Sequence, residues 1–460
     1  MRYEKTAETD RGRLRPLAGV LAALLVAHSG TRISAIAIPW FVLVTTGSAT
    51  QTGLVAFCEM APYVVVKAFA GPLVDRAGPR RISWIADVVS AAAALLIPLL
   101  HTEGLLSFGV LLALVAVIGT VRSPGDLAKD VMIPEAAERS RVPLERATGL
   151  QGVFDRLAGT VGPAAGGTLV GLVGPMVGLG VNAACFALGS LIIAVALPGG
   201  MGQPQKHPAG EGTREAEETA EAEKPAEAAG THDARDGYWH SLRQGFAFLR
   251  RQPILLALYT MLGITNLLDA AYVAVLVPVW ASESGYGPGT IGLVLASFSV
   301  TATVGSLVAA AVAHRLRRRP VFFLGWLVTG APRFLILTTD APLWCVAMVI
   351  GMGGLGGGFI NPIIGAVTYE RIPPDMMGRA QGIGDAITWA GIPLGGLLAG
   401  AVVAGVGLTP ALLAAGAVYF LTTNLTGLRP EWREMDRHRG KGRAGQTPHA
   451  TPAEPASSTS

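Results

Sequence analysis

Long runs of apolar residues alternate with short polar segments along this chain of 460 residues. A run of about 20 mostly apolar residues can cross a hydrocarbon core of about 30 Å as an α-helix. The pattern predicts an all-α membrane protein with twelve transmembrane helices. The predicted spans are residues 17–45, 52–72, 82–100, 105–130, 150–172, 176–197, 253–281, 289–313, 320–338, 342–365, 380–405 and 408–428.

The distribution of Lys and Arg tests this topology independently, because these residues concentrate in short loops on the cytoplasmic side of a membrane. If the N-terminus lies inside, the predicted outside loops contain no Lys or Arg. The inside segments hold most of the cations, and this count includes Lys129 at the inner end of the fourth span. The other cations fall within spans: Arg32, Lys67, Arg122, Arg156 and Arg333. We therefore expect a multi-pass protein with both termini in the cytoplasm.

Composition agrees with a membrane location, since 15% of the residues are charged whereas soluble domains carry about 25%. The first apolar run follows a basic segment, as a secretory signal does, but continues as "ISAIAIPWFVLV" beyond a plausible cleavage point. We interpret it as a retained span.

Three cysteines lie far apart in separate spans, which favours small packing residues over a disulfide or metal site. No metal and no other cofactor is expected.

Composition also divides the chain into domains. Residues 1–16 form a cytoplasmic N-terminal tail, and residues 17–197 form a first half with six spans. Residues 198–237 are rich in Glu, Ala, Gly and Pro, which predicts a disordered cytoplasmic linker. Residues 238–252 predict an amphipathic helix on the inner membrane surface. A second half with six spans covers residues 253–428, and residues 429–460 are predicted to be a disordered cytoplasmic tail.

The two halves resemble each other when residue i is compared with residue i+230. Identical pairs include Gln151 with Gln381, Asp155 with Asp385, and Pro163 with Pro393. Spans 5 and 11 are then equivalent members of a duplicated six-helix unit. Internal repeats of this kind are typical of secondary transporters, whose substrate sites lie near the membrane midplane where the repeats meet. Asp155 and Asp385 are expected to hold helix ends together or to contact substrate.

The loop between spans 2 and 3 reads "GPLVDRAGPRR" and combines an acid, three arginines and spaced glycines. It resembles the signature of the major facilitator superfamily in this loop. In that family the cluster latches two pseudo-symmetric halves in the outward-facing state. We expect Arg122 and Asp126 in span 4 to be its partners, whereas a simple positively charged turn would explain only the arginines. The predicted latch comprises Gly71, Asp75, Arg76, Gly78, Arg80, Arg81, Arg122 and Asp126.

A second signature, "GPAAGG", lies in span 5 and contains Gly162, Pro163, Gly166 and Gly167. It resembles a motif that drug/proton antiporters of the superfamily carry in this span. A proline removes a backbone donor and bends a helix, while glycines permit close helix packing. The alternative is close packing with no bearing on the direction of transport.

The layout of residues 17–428 is similar to twelve-span exporters that include macrolide-efflux and siderophore-export proteins. This resemblance implies export of a small amphipathic drug, antibiotic or natural product, in exchange for protons. A monomer with no nucleic-acid partner is expected. The excess of Arg over Lys, together with abundant Ala and Gly, suggests a high-GC bacterial source and hence the bacterial inner membrane. A metabolite importer or facilitator is the alternative within transport. A receptor or membrane enzyme is disfavoured, because no large ordered soluble domain and no catalytic cluster is evident.

Ionisable groups within membrane spans are costly and mark functional or paired positions. Glu59 lies deep in span 2 and has no predicted partner. Asn266 and Asp269 belong to a polar stripe in span 7, which is the repeat equivalent of span 1. We therefore predict that Arg32 in span 1 pairs with Asp269 across the two halves, either as a proton-coupling or substrate site or as a structural ion pair.

Overall fold

A computed structural model describes residues 2–67, 69–198, 200–202, 246–312, 317–373, 377–425 and 432. Within these ranges, it leaves undescribed the side chains of residues 2–13, 72, 75, 145, 310, 369, 377–379 and 425. The predicted linker and the C-terminal tail lie almost entirely outside the described residues. Of the predicted surface helix, residues 246–251 are described as helical.

The first half contains seven helices, six of which correspond to the predicted spans. They are α1 (Arg2–Thr46), α2 (Ala49–Lys67), α3 (Ala70–Ala77), α4 (Pro79–Thr102), α5 (Phe108–Arg139), α6 (Leu144–Val173) and α7 (Pro175–Ala196). Helix α1 begins at Arg2, so the segment predicted as an N-terminal tail continues the first transmembrane helix. The second span ends earlier than predicted, at Lys67, and the motif that follows forms the separate helix α3.

The second half is built from shorter pieces, because three of its spans contain an interruption. Its first span joins α8 (Pro253–Ala271), a π-helical turn (Tyr272–Leu276) and α9 (Val277–Glu283). The next spans are α10 (Pro288–Val312), then α11 (Arg318–Thr329) with α12 (Ala331–Leu335) and a 3₁₀ turn (Ile336–Thr338), then α13 (Leu343–Arg371). The last two are α14 (Met377–Ala390) with α15 (Ile392–Val406), and α16 (Leu408–Phe420) with a π turn (Leu421–Leu425).

Among the described residues, nine helical segments are long and apolar enough to cross a membrane. Helix α16 with its π turn is a shorter apolar segment, and the more polar helices α2 and α6 complete the twelve. Tight turns between spans use glycine and proline. Gly174 has a φ of 86°, which favours glycine, and Pro175 begins α7 with a preset φ and no unpaired N–H.

Successive spans run in opposite directions, so the connecting loops collect at two ends of the bundle. We call one end the basic end, because its loops include Arg76, Arg80, Arg141 and Arg317. At the opposite end, called the acidic end, the loops hold Glu103, Glu283 and Asp340 but no Lys or Arg. This arrangement reproduces the charge asymmetry seen along the sequence.

The halves approach each other most closely at the acidic end, through small residues. Gly167 of α6 packs on Gly292 of α10, where an added side chain at Gly167 would lie 2.6 Å from the Gly292 Cα. In the equivalent place, Gly396 of α15 packs on Gly53 of α2. The same pair of contacts recurs because span 5 with span 8 is the repeat equivalent of span 11 with span 2. The packing therefore follows the internal duplication.

Two predictions from the sequence, one for a charge and one for a boundary, are wrong. Lys129, counted with the inside segments, is instead buried in α5, and its Nζ lies 2.7 Å from Asp87 Oδ1 in α4. Trp432, predicted to belong to the disordered tail, is buried with its ring 5.7 Å from the ring of Phe322 in α11. Both predictions used local polarity alone. They missed that the apolar stem of Lys129 and the ring of Trp432 can be buried against neighbouring helices.

Candidate functional site

A carboxylate–guanidinium cluster joins α2 and α5 in the first half. Arg122 Nη1 donates to Glu59 Oε1 at 2.9 Å, and Arg122 Nε lies 3.8 Å from Asp126 Oδ2. Tyr63 Oη donates to the same Asp126 oxygen at 3.3 Å, and its ring lies under the Arg122 guanidinium. Gly119 brings the helices together, because any side chain there would collide with the Glu59 backbone. Glu59 thus has a partner that the sequence analysis did not predict.

The Glu59 and Arg122 side chains are largely buried, with 13% and 9% of their surfaces exposed. Arg122 contacts two carboxylates, so the cluster carries one more acid than base. The contacts of Arg122 differ from the predicted latch, since its described partners are Glu59, Asp126 and Tyr63. Arg80 instead donates to the carbonyls of Pro198 and Ala194 at the end of α7.

The remaining latch residues lie in α3, in the turn after it and at the start of α4. Gly78 ends α3 with a φ of 86°, which explains a glycine at this position. A Cβ added at Gly71 would meet no described atom of another helix within 4 Å, so no close helix approach requires a glycine there. Arg76 and Arg81 are exposed. The Asp75 side chain lies outside the described residues, and its role as a latch stays a prediction.

Helix α6 carries the second motif between α1 and α10. Side chains added at Gly162 and Gly166 would press on Arg32 and Ile33 of α1, whereas Gly167 faces Gly292 of α10. The Pro163 carbonyl also lies against Gly292. The motif therefore brings one helix of the second half against α6, with α1 on the other side. This packing places a glycine-rich helix directly in the interface between the halves.

Next to this motif, α1 and α6 share a pair of polar residues. His28 Nδ1 lies 3.0 Å from Asp155 Oδ1, which connects the two helices. Arg32 lies one turn beyond His28 and is exposed. Among the described side chains, Arg32 forms no ion pair with Asp269, so the predicted pair between the halves is wrong.

Asp269 pairs within its own half, with Arg333 of α12. Only 6% of the Arg333 side chain is exposed, against 41% for Asp269. Four aromatic rings surround the guanidinium. Their centroids lie at 4.9 Å for Tyr419, 5.0 Å for both Tyr272 and Phe334, and 6.0 Å for Phe298. The break at Gly330 between α11 and α12 separates Arg333 from the preceding helix and lets it point inward. Sequence periodicity assumes a continuous helix and could not place this residue.

The polar stripe of α8 packs mainly against α14. The ring of Tyr259 lies against Gly384, Gly263 lies against the Ile387 carbonyl, and Asn266 Nδ2 donates to the Thr388 carbonyl at 3.1 Å. These contacts fix the part of α14 that precedes its end at Ala390. The stripe therefore positions α14, and within it Asp269 alone makes an ion pair in the described part of the chain.

Toward the basic end the halves separate. A Cβ added at Gly149 or Gly152 of α6, or at Gly382 of α14, would meet no described atom of another helix within 4 Å. The described contacts across this region are made by long side chains, such as Arg156 Nη1 donating to Ser306 Oγ at 3.1 Å. The described residues contain no group of three His, Cys, Asp or Glu that could hold a metal. The halves therefore pack closely at the acidic end and leave a space between them toward the basic end.

Known proteins share both the sequence and the fold of this chain. The family model of the Major Facilitator Superfamily matches residues 20–274 and 259–448. The chain is 31% identical over 428 residues to the multidrug efflux pump Tap of Mycobacterium tuberculosis, covering 91% of this chain and 94% of that protein. It is 29% identical to the Tap pump of Mycolicibacterium fortuitum, covering 93% of this chain and 98% of that protein.

Among solved structures, the crystal structure of the nucleoside transporter NupG is similar in fold. Its TM-score is 0.65 at 14% sequence identity, and the match covers 92% of this chain and 98% of that one. The family match extends over both halves, and the all-helical architecture agrees with it. The chain therefore belongs to the Major Facilitator Superfamily and is a membrane transporter rather than an enzyme.

Proposed function

We propose that this chain exports small amphipathic compounds, such as drugs, antibiotics or natural products, across the bacterial inner membrane in exchange for protons. Its similarity to proteins named as multidrug efflux pumps, over 91% of the chain in one case, supports export. The glycine-rich motif of α6 at the interface between the halves supports alternating access, in which the halves rock about a central site. A single chain contains both halves, so we expect it to act as a monomer.

The observation that carries the proton-coupling proposal is that Arg122 serves two acids, Glu59 and Asp126. The cluster holds two carboxylates and one guanidinium, so binding of one proton would make it neutral. Arg122 would still keep one ionised partner after that proton binds. Proton uptake at this cluster therefore avoids leaving an unpaired charge in a low-dielectric interior.

Asp269 is the other acid expected to carry a proton, but its surroundings favour the Glu59 cluster. Asp269 and Arg333 form a one-to-one pair, and the Arg333 guanidinium is almost completely buried. Protonation of Asp269 would leave that guanidinium without a counter-charge, which is costly. We therefore place proton coupling first at Glu59 and Asp126, and treat Asp269 as a constant partner of Arg333.

The positive-inside rule assigns the basic end to the cytoplasm. With that orientation, both termini are cytoplasmic and the space between the halves opens to the cytoplasm. This is the state in which an exporter would load its substrate.

The motif of α3 would then engage in the opposite state, as a latch. Asp75→Asn is expected to reduce transport while leaving membrane insertion intact, because it keeps the side-chain shape and removes the charge.

Inverted membrane vesicles with an imposed pH gradient test the proposal. Ethidium, which is fluorescent and amphipathic, should accumulate with the wild-type chain. In Glu59→Gln, gradient-driven accumulation should fall at least about tenfold. Exchange of substrate across the membrane should remain, because only the proton-binding group is removed. Asp340→Asn is the matched control, since Asp340 is an exposed acid in a loop at the acidic end.

Full pH-driven accumulation by both Glu59→Gln and Asp126→Asn would contradict coupling at this cluster. Accumulation of a metabolite in right-side-out vesicles, without export activity in inverted ones, would instead support an importer.

A further inference from the structure

A lysine from the first half rests on a tryptophan from the second. The Lys67 ammonium, at the end of α2, lies 3.6 Å from the ring centroid of Trp389 in α14. The ring of Tyr63, one turn earlier in α2, has its centroid 5.9 Å from the same ammonium. Cations within about 6 Å of an aromatic centroid are attracted by the ring face. The contact is thus a cation–π interaction that connects the two halves.

Acids surround this contact without pairing directly with the lysine. In the described part of the chain, no carboxylate lies within the 4.0 Å ion-pair distance of Lys67. Asp385 and Asp130 are nonetheless close enough to interact electrostatically with it. Asp385 precedes Trp389 by four residues and lies on the same face of α14. The ring face and the two acids therefore favour a positive charge that is held loosely.

The contact borders open space rather than packed protein. Lys67, Asp130 and Asp385 are exposed, and Trp389 is partly exposed. A Cβ added at Gly382, one turn before Asp385, would meet no described atom of another helix within 4 Å. This space is the one that opens toward the basic end of the bundle. A solute entering from that end would reach the Trp389 ring.

We propose that Trp389, Asp385 and Asp130 form a subsite for the cationic part of an amphipathic organic cation, and that Lys67 occupies this subsite until the substrate displaces it. The inference rests on the proposed export function and names its substrate class. A primary ammonium is strongly hydrated and sits on a flexible stem, so it gives up the ring at little cost. A bulky organic cation is weakly hydrated and gains more from the ring.

Displacement of Lys67 would also affect the interface between the halves. The Lys67 side chain bridges α2 and α14, and a bound cation would replace it on the ring. Substrate binding would then release a contact between the halves while the positive charge beside Asp385 and Asp130 is retained. Substrate binding could then change the relative position of the two halves, because Lys67 contacts Trp389 in the free state but not in the substrate-bound state.

The test measures equilibrium binding of tetraphenylphosphonium to the purified full-length chain in lipid nanodiscs. Trp389→Leu should weaken binding about tenfold, and Trp389→Phe should recover part of that loss. Lys67→Gln should strengthen binding several-fold because the resident cation is gone, while Lys67→Arg should weaken it, because a guanidinium is less hydrated than an ammonium and stacks more firmly on the ring. Trp344→Leu is the matched control, since Trp344 lies exposed at the start of α13, at the acidic end.

Equal binding by Trp389→Leu and Trp344→Leu would overturn the proposal, as would weaker binding by Lys67→Gln. Transport of the uncharged dye Nile red in inverted vesicles separates this inference from the export proposal. Export of Nile red without tetraphenylphosphonium binding would reject the cation subsite and leave export standing. The expected order of binding among the variants, without export of any compound tested, would support the subsite and reject export.

Discussion

Lys129 and Asp87 form a buried ion pair between α5 and α4, with Nζ 2.7 Å from Oδ1. Their side chains are 1% and 3% exposed, so neither charge can be solvated if its partner is lost. The second oxygen of Asp87 has no hydrogen-bond partner among the described residues. Breaking a buried pair by removing one partner costs about 3–5 kcal/mol. The pair therefore stabilises the packing of α4 on α5 when both residues are present, and the loss of either one destabilises the first half.

This geometry predicts that Lys129→Met will lower the thermal stability of the purified protein, because it leaves Asp87 buried and unpaired. The double variant Lys129→Met with Asp87→Asn should regain most of the loss, since no charge remains buried. Thermal unfolding in detergent measures both effects. A double variant as unstable as the summed single variants would contradict an interaction between these residues.

The Asp269–Arg333 pair should respond unequally to the loss of either member. Asp269→Asn leaves an arginine that is 6% exposed, whereas Arg333→Met leaves an acid that is 41% exposed and can be hydrated. We expect Asp269→Asn to be the more destabilising change, by roughly 1–3 kcal/mol after allowing for solvent at Asp269. Thermal unfolding of the two single variants checks the order. Equal losses would mean that the exposure of Asp269 does not matter.

Close packing at the acidic end predicts that Gly167→Val will force α6 away from α10. A side chain at Gly167 would lie 2.6 Å from the Gly292 Cα, too close for any side-chain carbon. The variant should insert normally but populate less of the state closed at the acidic end, with transport reduced severalfold. Distances between spin labels on the two halves report this shift. Gly149→Val is the control, because a Cβ added at Gly149 would meet no described atom of another helix within 4 Å.

Much of the fold follows from the sequence, because membrane spans leave a strong and local signal. Apolar runs locate the spans, and the charges of the loops define the two ends. Helix ends are less exact, since α1 begins at Arg2 rather than at residue 17 and α5 ends at Arg139 rather than at residue 130. The duplication of spans 5 and 11 is also visible as paired residues such as Pro163 and Pro393. The packing of Gly167 on Gly292 and of Gly396 on Gly53 agrees with that duplication.

Charge pairing could not be predicted in the same way, because it depends on how helices are broken and rotated. Arg333 reaches Asp269 from a short helix after Gly330, a break that hydrophobic periodicity does not reveal. Glu59 finds Arg122 because Gly119 lets two helices approach closely. Asp87 was detectable only as a lone acid in the apolar run "WIADVVS", which indicates a buried partner without naming it.

The orientation of the chain leads to a labelling prediction. If the basic end is cytoplasmic, Ser284→Cys in a loop at the acidic end should react with a membrane-impermeant maleimide added to intact cells. Arg317→Cys at the basic end should react only after the membrane is opened, because the reagent cannot cross the bilayer. Both positions are exposed, so reactivity reports the side of the membrane rather than burial.

The experiment starts from a variant in which Cys58, Cys185 and Cys345 are replaced by Ser, because all three are free thiols that would add background. This cysteine-free parent must still export ethidium, which shows that it is folded. Labelling of Arg317→Cys in intact cells, together with protection of Ser284→Cys, would reverse the orientation. The space between the halves would then open to the outside in this state. That result would contradict the assignment of this state as the one in which an exporter loads its substrate from the cytoplasm.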